Sequence, residues 1–379
     1  MGDRRYDVIV IGGGTMGTAA AWELGKRGIS ALLLEQFSIP HDKGAHGGFT
    51  RIIRHAYSES PDYVPLVQRA DNLWQELEAA TGEQILVRCG GLELAAPGFT
   101  HASSARATAI QHRLPHEWLT PAEVRQRWPQ VRVPDDWSAL YSADAGFVQT
   151  EPAIRGMAAE ARRLGVEVRE HEAVLGWDAG KDGCVVRTAG ETYRADRLVI
   201  TAGAWSGPLV AQLGGRVEVL RKVLYWLEVE RPERYAPDQF PVFISDSGDG
   251  AIYGFPVFGR PGLKIADHSG GDATTADTVD RAVQAGEEAS VVRLAQRLFD
   301  GVTGRVLETA VCLYAMSPDG HFIVDRLPGN DKVVVGAGFS GHGFKFATAV
   351  GEHLVDLVID PGATPLPILS FDRLAAATA

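Results

Sequence analysis

Gly12, Gly14 and Gly17 form G-x-G-x-x-G within "YDVIVIGGGTMGTAAAWELGKRG", with Gly13 as an extra glycine. The apolar run before them reads as a buried strand, and the run after them as a helix closed by Gly28. In that setting each glycine has a task. Gly12 permits a tight turn, Gly14 lets a pyrophosphate approach the backbone, and Gly17 lets helix and strand pack closely. The helix N-terminus adds free N–H groups and the positive end of a dipole. Glu35 closes the next apolar run, "ALLLE", where a carboxylate accepts from ribose hydroxyls. The chemistry is dinucleotide binding, and the motif alone does not separate FAD from NAD.

Two further stretches carry reactive types. In "GAHGGFTRIIRHAY", residues 44–57, Arg51 and Arg54 flank Ile52 and Ile53, and His55 follows. Cations in an apolar setting are costly unless they meet anions, so this stretch reads as a carboxylate- or phosphate-facing cluster rather than a solvated basic face. In "TAVCLYAMSPDGHFIVD", Cys312 sits among apolar residues. Its type alone leaves open a buried small hydrophobe or a reactive thiol.

The elements that must position these residues follow from pattern. The first 35 residues are one βαβ unit, whose strands, buried on both faces, imply a parallel sheet. "PDYVPLVQRADNLWQELEAA" and "EPAIRGMAAEARRLG" are helices, and "VEVREHEAV" is a strand. "CVVRTAG" and "ETYRADRLVITAG" are paired strands. Between 86 and 147 the pattern is irregular. From 216 to 268 the period is two, in "RVEVLRKVLYWLEVE", "AIYGFPVFG" and "GLKIADH", which reads as an antiparallel sheet walling a pocket. A polar helix is expected near 276–300. The chain closes with strand "DKVVVGAG", loop "FSGHGFKF" and helix "ATAVGEHLVDLVI".

The 379 residues exceed the roughly 250–300 that one core supports. The expected fold is α/β (α+β): a discontinuous Rossmann-like FAD-binding domain from 1–85, 148–215 and 308–379, interleaved with an antiparallel-sheet substrate domain from 86–147 and 216–307. A sheet completed by distant segments favours FAD over NAD. A net charge of −11 argues against nucleic acid and anionic membrane. Cys89, Cys184 and Cys312 are widely spaced, which argues against a disulfide framework or a metal site and fits a reducing compartment. No run reaches the roughly 18 apolar residues of a membrane span. "YDVIVI" after Arg4 and Arg5 is too short for an export signal. The expected location is cytoplasmic.

"TRIIRHAY", "AVCLY…SPDGHFIVD" and "GFSGHGFKF", in order along nearly the whole chain, resemble the monomeric sarcosine oxidase and N-methyltryptophan oxidase family of D-amino-acid-oxidase-like flavoproteins. The resemblance implies FAD joined covalently through Cys312, a substrate carboxylate held by Arg54 and Lys345, and Thr50 and Arg51 on the cofactor side. It implies that Lys264 promotes reaction with oxygen and that His268, Tyr253 and Tyr314 line the substrate pocket. Gly341 and Gly343 belong to its cofactor-side loop. The implied activity is oxidation of sarcosine or another N-methyl amino acid with O2, giving an imine and hydrogen peroxide, by a monomer.

Read without the resemblance, Lys264 alternates with Leu263 and Ile265 and could face solvent. The tyrosines could be core aromatics and His268 a loop histidine. His321 and His342 shape a turn and a loop, and Cys89 and Cys184 are structural. Gly47, Phe49 and Ala315 depart from the family pattern. Ala315 is expected beside the substrate, where it makes room and leaves the amine substituent open. A cyclic amino-acid oxidase, a dehydrogenase using another acceptor, a plain NAD dehydrogenase and a non-catalytic dinucleotide-binding protein are the competing readings.

Overall fold

The apolar run before the glycine turn forms β1 (Arg5–Ile11), and the turn opens α1 (Thr15–Lys26) in the computed structural model, which describes residues 5–376. Residues 1–4 and 377–379, the ends of the expected FAD-binding segments, and Arg4 of the arginine pair lie outside the described residues. β1 pairs in parallel with β2 (Ala31–Leu34) and with Thr192–Ile200, which pairs in parallel with Asn330–Ala337. Val8–Val10, Leu32–Leu34 and Val333–Val335 are almost wholly buried. Burial on both faces is why these runs are continuously apolar rather than alternating. Leu33 faces a core shared with α1 and the helices Thr150–Arg163 and Ala347–Ile359, while Leu32 and Leu34 face Val210, Leu213 and Leu374. Gly351 brings helix Ala347–Ile359 onto α1: a Cβ there would stand 2.7 Å from that of Ala19.

β3 (Thr50–Ile53) belongs to a small sheet with Leu86–Arg88 and Gly146–Gln149, and α2 (Val64–Thr81) follows it. The third sheet, nine-stranded among the described residues, is built on Glu218–Val229. This strand runs antiparallel to Val302–Met316 and to Leu263–Asp267. The sheet continues through Gly250–Phe255, Val242–Ser247 and Gly91–Ala95. Its period of two divides two environments. Tyr225, Leu227 and Val229 pack in a core with helix Ala289–Leu298. Leu224 and Trp226 share the other face with Cys312 and Tyr314.

Three expectations need correction. The helix near 276–300 covers only Ala289–Leu298. Before it, Asp280 and Glu287 accept backbone N–H groups of Ala282 and Gln284, and Arg221 takes the carbonyls of Asp280 and Ala282, so the backbone is satisfied without a helix. "VEVREHEAV" splits into Glu167–Arg169 and Val174–Gly180, because His171 and Glu172 donate to the carbonyls of Phe37 and Glu35 instead of extending the strand. The irregular stretch after residue 86 contains regular structure: strands Gly91–Ala95, Glu117–Leu119 and Ser138–Ser142, and helices His101–Gln111 and Pro121–Arg127. Pro121 starts a helix there, capped by Thr120 and Glu123. The strand Val302–Met316 passes through position 308 without a break. No helix of the described residues is long and apolar enough to cross a membrane.

Candidate active site

The glycine turn opens on a cavity of about 410 Å³, lined at one end by Gly12, Gly14 and Glu35 and at the other by Tyr314, Gly341 and Gly343. Gly12 takes φ +98°, and a Cβ there would lie 2.6 Å from the Thr201 carbonyl oxygen. Gly14 has nothing within 4 Å of a Cβ position, so a side chain would project into the cradle. A Cβ on Gly17 would collide with the Gly12 carbonyl at 1.8 Å. Glu35 accepts from the N–H groups of Gly13 at 2.7 Å and Phe37 at 2.9 Å. Burial raises its carboxyl against those bonds. His46, also lining the cavity, has a buried Nε2 without a partner. Burial lowers its imidazole to about 3, so it is neutral and available to a ligand. A glycine cradle, a ribose-height acid and an orphaned imidazole together fit a dinucleotide.

A second cavity, of about 160 Å³, adjoins the first: Arg51, Tyr314, Gly341 and Phe344 line both. Arg54 and Lys345 line it from opposite ends of the sequence. Buried Arg54 donates to the Ala56 carbonyl at 2.6 Å and pairs with Glu59 at 2.9 Å, with Glu93 at 3.9 Å. Burial alone would lower its guanidinium, but Glu59 and Glu93 outweigh it. Glu59 lies at the rim, its side chain 28% exposed. Desolvation pushes its carboxyl up, yet Arg54 holds it well below the usual range. Lys345 donates to the His342 carbonyl at 2.9 Å and to Tyr57 Oη at 3.3 Å, and meets no carboxylate within 4 Å among the described residues. Burial, then Arg54, lower it to about 7.

The other pocket residues gather here too. The hydroxyls of Tyr253 and Tyr314 are 3.3 Å apart, and burial raises both phenols. Tyr253 and His268 line the second cavity, and desolvation lowers His268 to about 4. Gly341, at φ +78°, must lack a side chain, since a Cβ would lie 2.2 Å from the Tyr314 ring. A Cβ on Gly343 would meet Phe339 at 2.6 Å.

Three predicted flavin-side residues, Lys264, Cys312 and Thr50, lie behind the cavity walls. Lys264 is 2% exposed rather than outward-facing. Its Nζ donates to Thr50 O at 2.8 Å, to Thr50 Oγ1 at 3.0 Å and to Gly48 O. Burial and Arg51 pull it well below its ordinary value. Cys312 is fully buried and lines neither cavity, although its neighbours Leu313 and Tyr314 line the first. Arg51 meets carbonyls of Thr50, Ala45 and Gly47, not anions. His55 turns away to Asp71 at 2.7 Å and Asp144 at 2.8 Å; burial lowers it, but these acids outweigh that and raise it to about 9. Ala315 lines the first cavity and not the second, because alternation along its strand turns it opposite to Tyr314. His342 bonds Tyr57 at 2.6 Å and the Gly320 carbonyl at 3.0 Å, and it also lines the second cavity.

Sequence reasoning missed Glu59, His101 and Asp246, which also line the second cavity. Glu59, five residues beyond Arg54, had a local signal; His101 and Asp246 had none.

Residues 7–357 match the family described as DAO, FAD dependent oxidoreductase. The chain is 39% identical over 381 residues to monomeric sarcosine oxidase of Streptomyces avermitilis, covering 99% of each. It is 36% identical over 372 residues to N-methyl-L-tryptophan oxidase of Yersinia pestis, covering 97% of this chain and 98% of the other. Among solved structures, NikD, an unusual amino acid oxidase essential for nikkomycin biosynthesis, superposes with a TM-score of 0.84 at 22% identity, over 97% of both chains, a likeness of fold. A match spanning nearly the whole chain, on a fold whose glycine cradle fits a dinucleotide, makes this protein a member of the DAO family of FAD dependent oxidoreductases.

Proposed function

We propose that this FAD-dependent amine oxidase acts on a secondary amino acid, sarcosine or another N-methyl amino acid, and passes electrons to O2 to give hydrogen peroxide. The carrying observation is that Arg54 and Lys345 face one small cavity adjoining the dinucleotide cleft. The same reading has FAD joined through Cys312, and a cytoplasmic monomer. It assigns the parallel-sheet segments to the cofactor and the nine-stranded sheet to the substrate.

Gly12, Gly14, Gly17, Glu35 and His46 would hold the FAD, with Thr50, Arg51, Gly341 and Gly343 on its flavin side. When bound, FAD supplies a two-electron acceptor for the hydride on the carbon beside the amine, and an electron pair for oxygen. An incoming carboxylate competes with Glu59 for Arg54, whose fork suits two oxygens, while Lys345 adds a point charge. The clamp positions the reacting carbon, an effect distinct from any change in its reactivity. Oxidation requires the amine lone pair. His268 and both tyrosines are neutral at neutral pH, so they place no cation beside the amine. The imine product then hydrolyses.

Lys264 is assigned to oxygen. Its three acceptors match the three protons of an ammonium. In its charged form, which burial and Arg51 oppose, an ammonium about 4 Å from developing negative charge contributes of order 4 kcal/mol at an effective dielectric near 20, before desolvation losses.

The test is a panel of N-methyl, cyclic and primary amino acids scored by peroxide release and by anaerobic bleaching of the flavin. N-methyl substrates are expected to lead. Bleaching by none of them, or bleaching without peroxide in air, overturns the reading.

A further inference from the structure

Lys222 is a buried cation that the proposed reaction leaves without a task. It is 5% exposed, and no carboxylate lies within 4 Å of it among the described residues. Its backbone partner across the antiparallel pair is Cys312, and directly paired residues project their side chains to the same face. Its Nζ donates to Ser269 O at 2.6 Å and Gly270 O at 3.0 Å and lies 5.3 Å from the Tyr314 ring centroid. Gly271, at φ +121°, leaves space for the stem: a Cβ there would stand 3.0 Å from Lys222 Cδ.

An ammonium has three protons. Lys264, on the same face, commits all three to the loop at Gly48 and Thr50. Lys222 commits two, to carbonyls of the turn after Leu263–Asp267, and has no third acceptor among the described residues on the face it shares with Cys312. The other charged or titratable groups facing this pair are Tyr314 on the same strand as Cys312, Tyr253, Asp267 and His268 on neighbouring segments, Asp272 beyond the turn, and Arg281, which reaches the Val311 carbonyl at 3.4 Å. No acid among them contacts Lys222 within 4 Å.

We propose that Lys222 is the positioning residue for covalent flavin attachment, its ammonium on the face of Cys312 stabilising the negative charge on sulfur during attack on the 8α carbon of FAD. The inference rests on the reading that FAD is joined at Cys312. The step forms the sulfur–carbon bond and removes one proton from the thiol and one from the 8α methyl. The electron pair is left on the flavin ring. O2 takes that pair and two protons, giving hydrogen peroxide and restoring oxidised flavin. Thiolate, not thiol, is the nucleophile, so a neighbouring cation governs the rate near neutral pH.

The test uses full-length wild type, Lys222→Gln, Lys222→Met, Lys222→Arg and Cys312→Ala, prepared with FAD and precipitated in acid. Wild type and Lys222→Arg are expected to keep yellow flavin in the pellet. Lys222→Gln, which keeps donors for the two carbonyls but loses the charge, is expected to bind FAD and release most of it to the acid supernatant. Incubating Lys222→Gln or Lys222→Met with FAD in air is expected to restore acid-stable flavin as pH rises past about 8.5, where an unassisted thiol ionises. A packing role alone would not produce that pH dependence. Wild-type levels of linkage at pH 7 in Lys222→Gln, or no recovery at high pH, overturn the proposal. Absence of acid-stable flavin in wild type, or its presence in Cys312→Ala, instead overturns the Cys312 reading beneath it.

Discussion

Two groups of buried cations stand by the cavities, one lining the second cavity and one behind the walls, and they are satisfied differently. At the clamp, Arg54 is paired with Glu59 and near Glu93. On the sheet face beside Cys312, Lys222 and Lys264 meet carbonyls and one hydroxyl but no carboxylate within 4 Å among the described residues. A carboxylate at the rim can exchange for another carboxylate. Backbone carbonyls cannot leave. The first arrangement suits a ligand that comes and goes, and the second suits fixed charge directed at permanent chemistry.

Replacing Cys312 tests the fixed side most severely. Cys312→Ala is expected to leave no acid-stable flavin and to remove most turnover, read by acid precipitation and peroxide release. On the exchangeable side, Arg54→Met is expected to lower kcat/KM by roughly 30- to 5,000-fold, the equivalent of about 2–5 kcal/mol for removing one partner of a buried charge pair. Much of that loss should appear in KM. Lys264→Met separates the two sides: oxygen reoxidation is expected to slow by roughly 10²–10³-fold, while anaerobic reduction by the amine changes little.

Lys345 gives the clamp a pH signature. Burial and Arg54 lower it to about 7 in the free protein, and a bound carboxylate favours its charged form. Binding therefore takes up a proton above pH 7. The Kd of a simple carboxylate inhibitor is expected to rise by up to about tenfold per pH unit there and to flatten below it. Lys345→Met should bind more weakly and lose the dependence. Glu59→Gln, which removes the competing charge, is expected to have the smallest effect: carboxylate inhibitors tighten by roughly three- to tenfold.

Local chemistry was the legible part. The glycine turn, Glu35 and the parallel strands follow from neighbours in sequence, and "TRIIRHAY" and "GHGFKF" carry Arg54 and Lys345 inside short motifs. What needed the structure depends on strand register. Lys222 in "VLRKVLY" resembles any charge on a half-buried strand until Cys312, ninety residues later, is placed opposite it. Asp246 and His101 reach the cavity only through the pairing of Val242–Ser247 with Gly91–Ala95 and the helix that follows. The segment at 276–288 was misread because its carboxylates serve the backbone and Arg221 rather than a helix face.

The parallel sheet has a consequence for biosynthesis. β1 leaves the ribosome well before its neighbour Thr192–Ile200, and Asn330–Ala337 emerges later still. The cradle at Gly12–Gly14 and the loop at Gly341–Lys345 therefore exist together only once translation has passed Lys345. Long-range pairing of this kind is slow and leaves strand edges open meanwhile. Until then the nascent chain has no finished prosthetic-group pocket to fill, so cofactor capture follows synthesis of that loop, and a truncation before Asn330 would yield a colourless, aggregation-prone product.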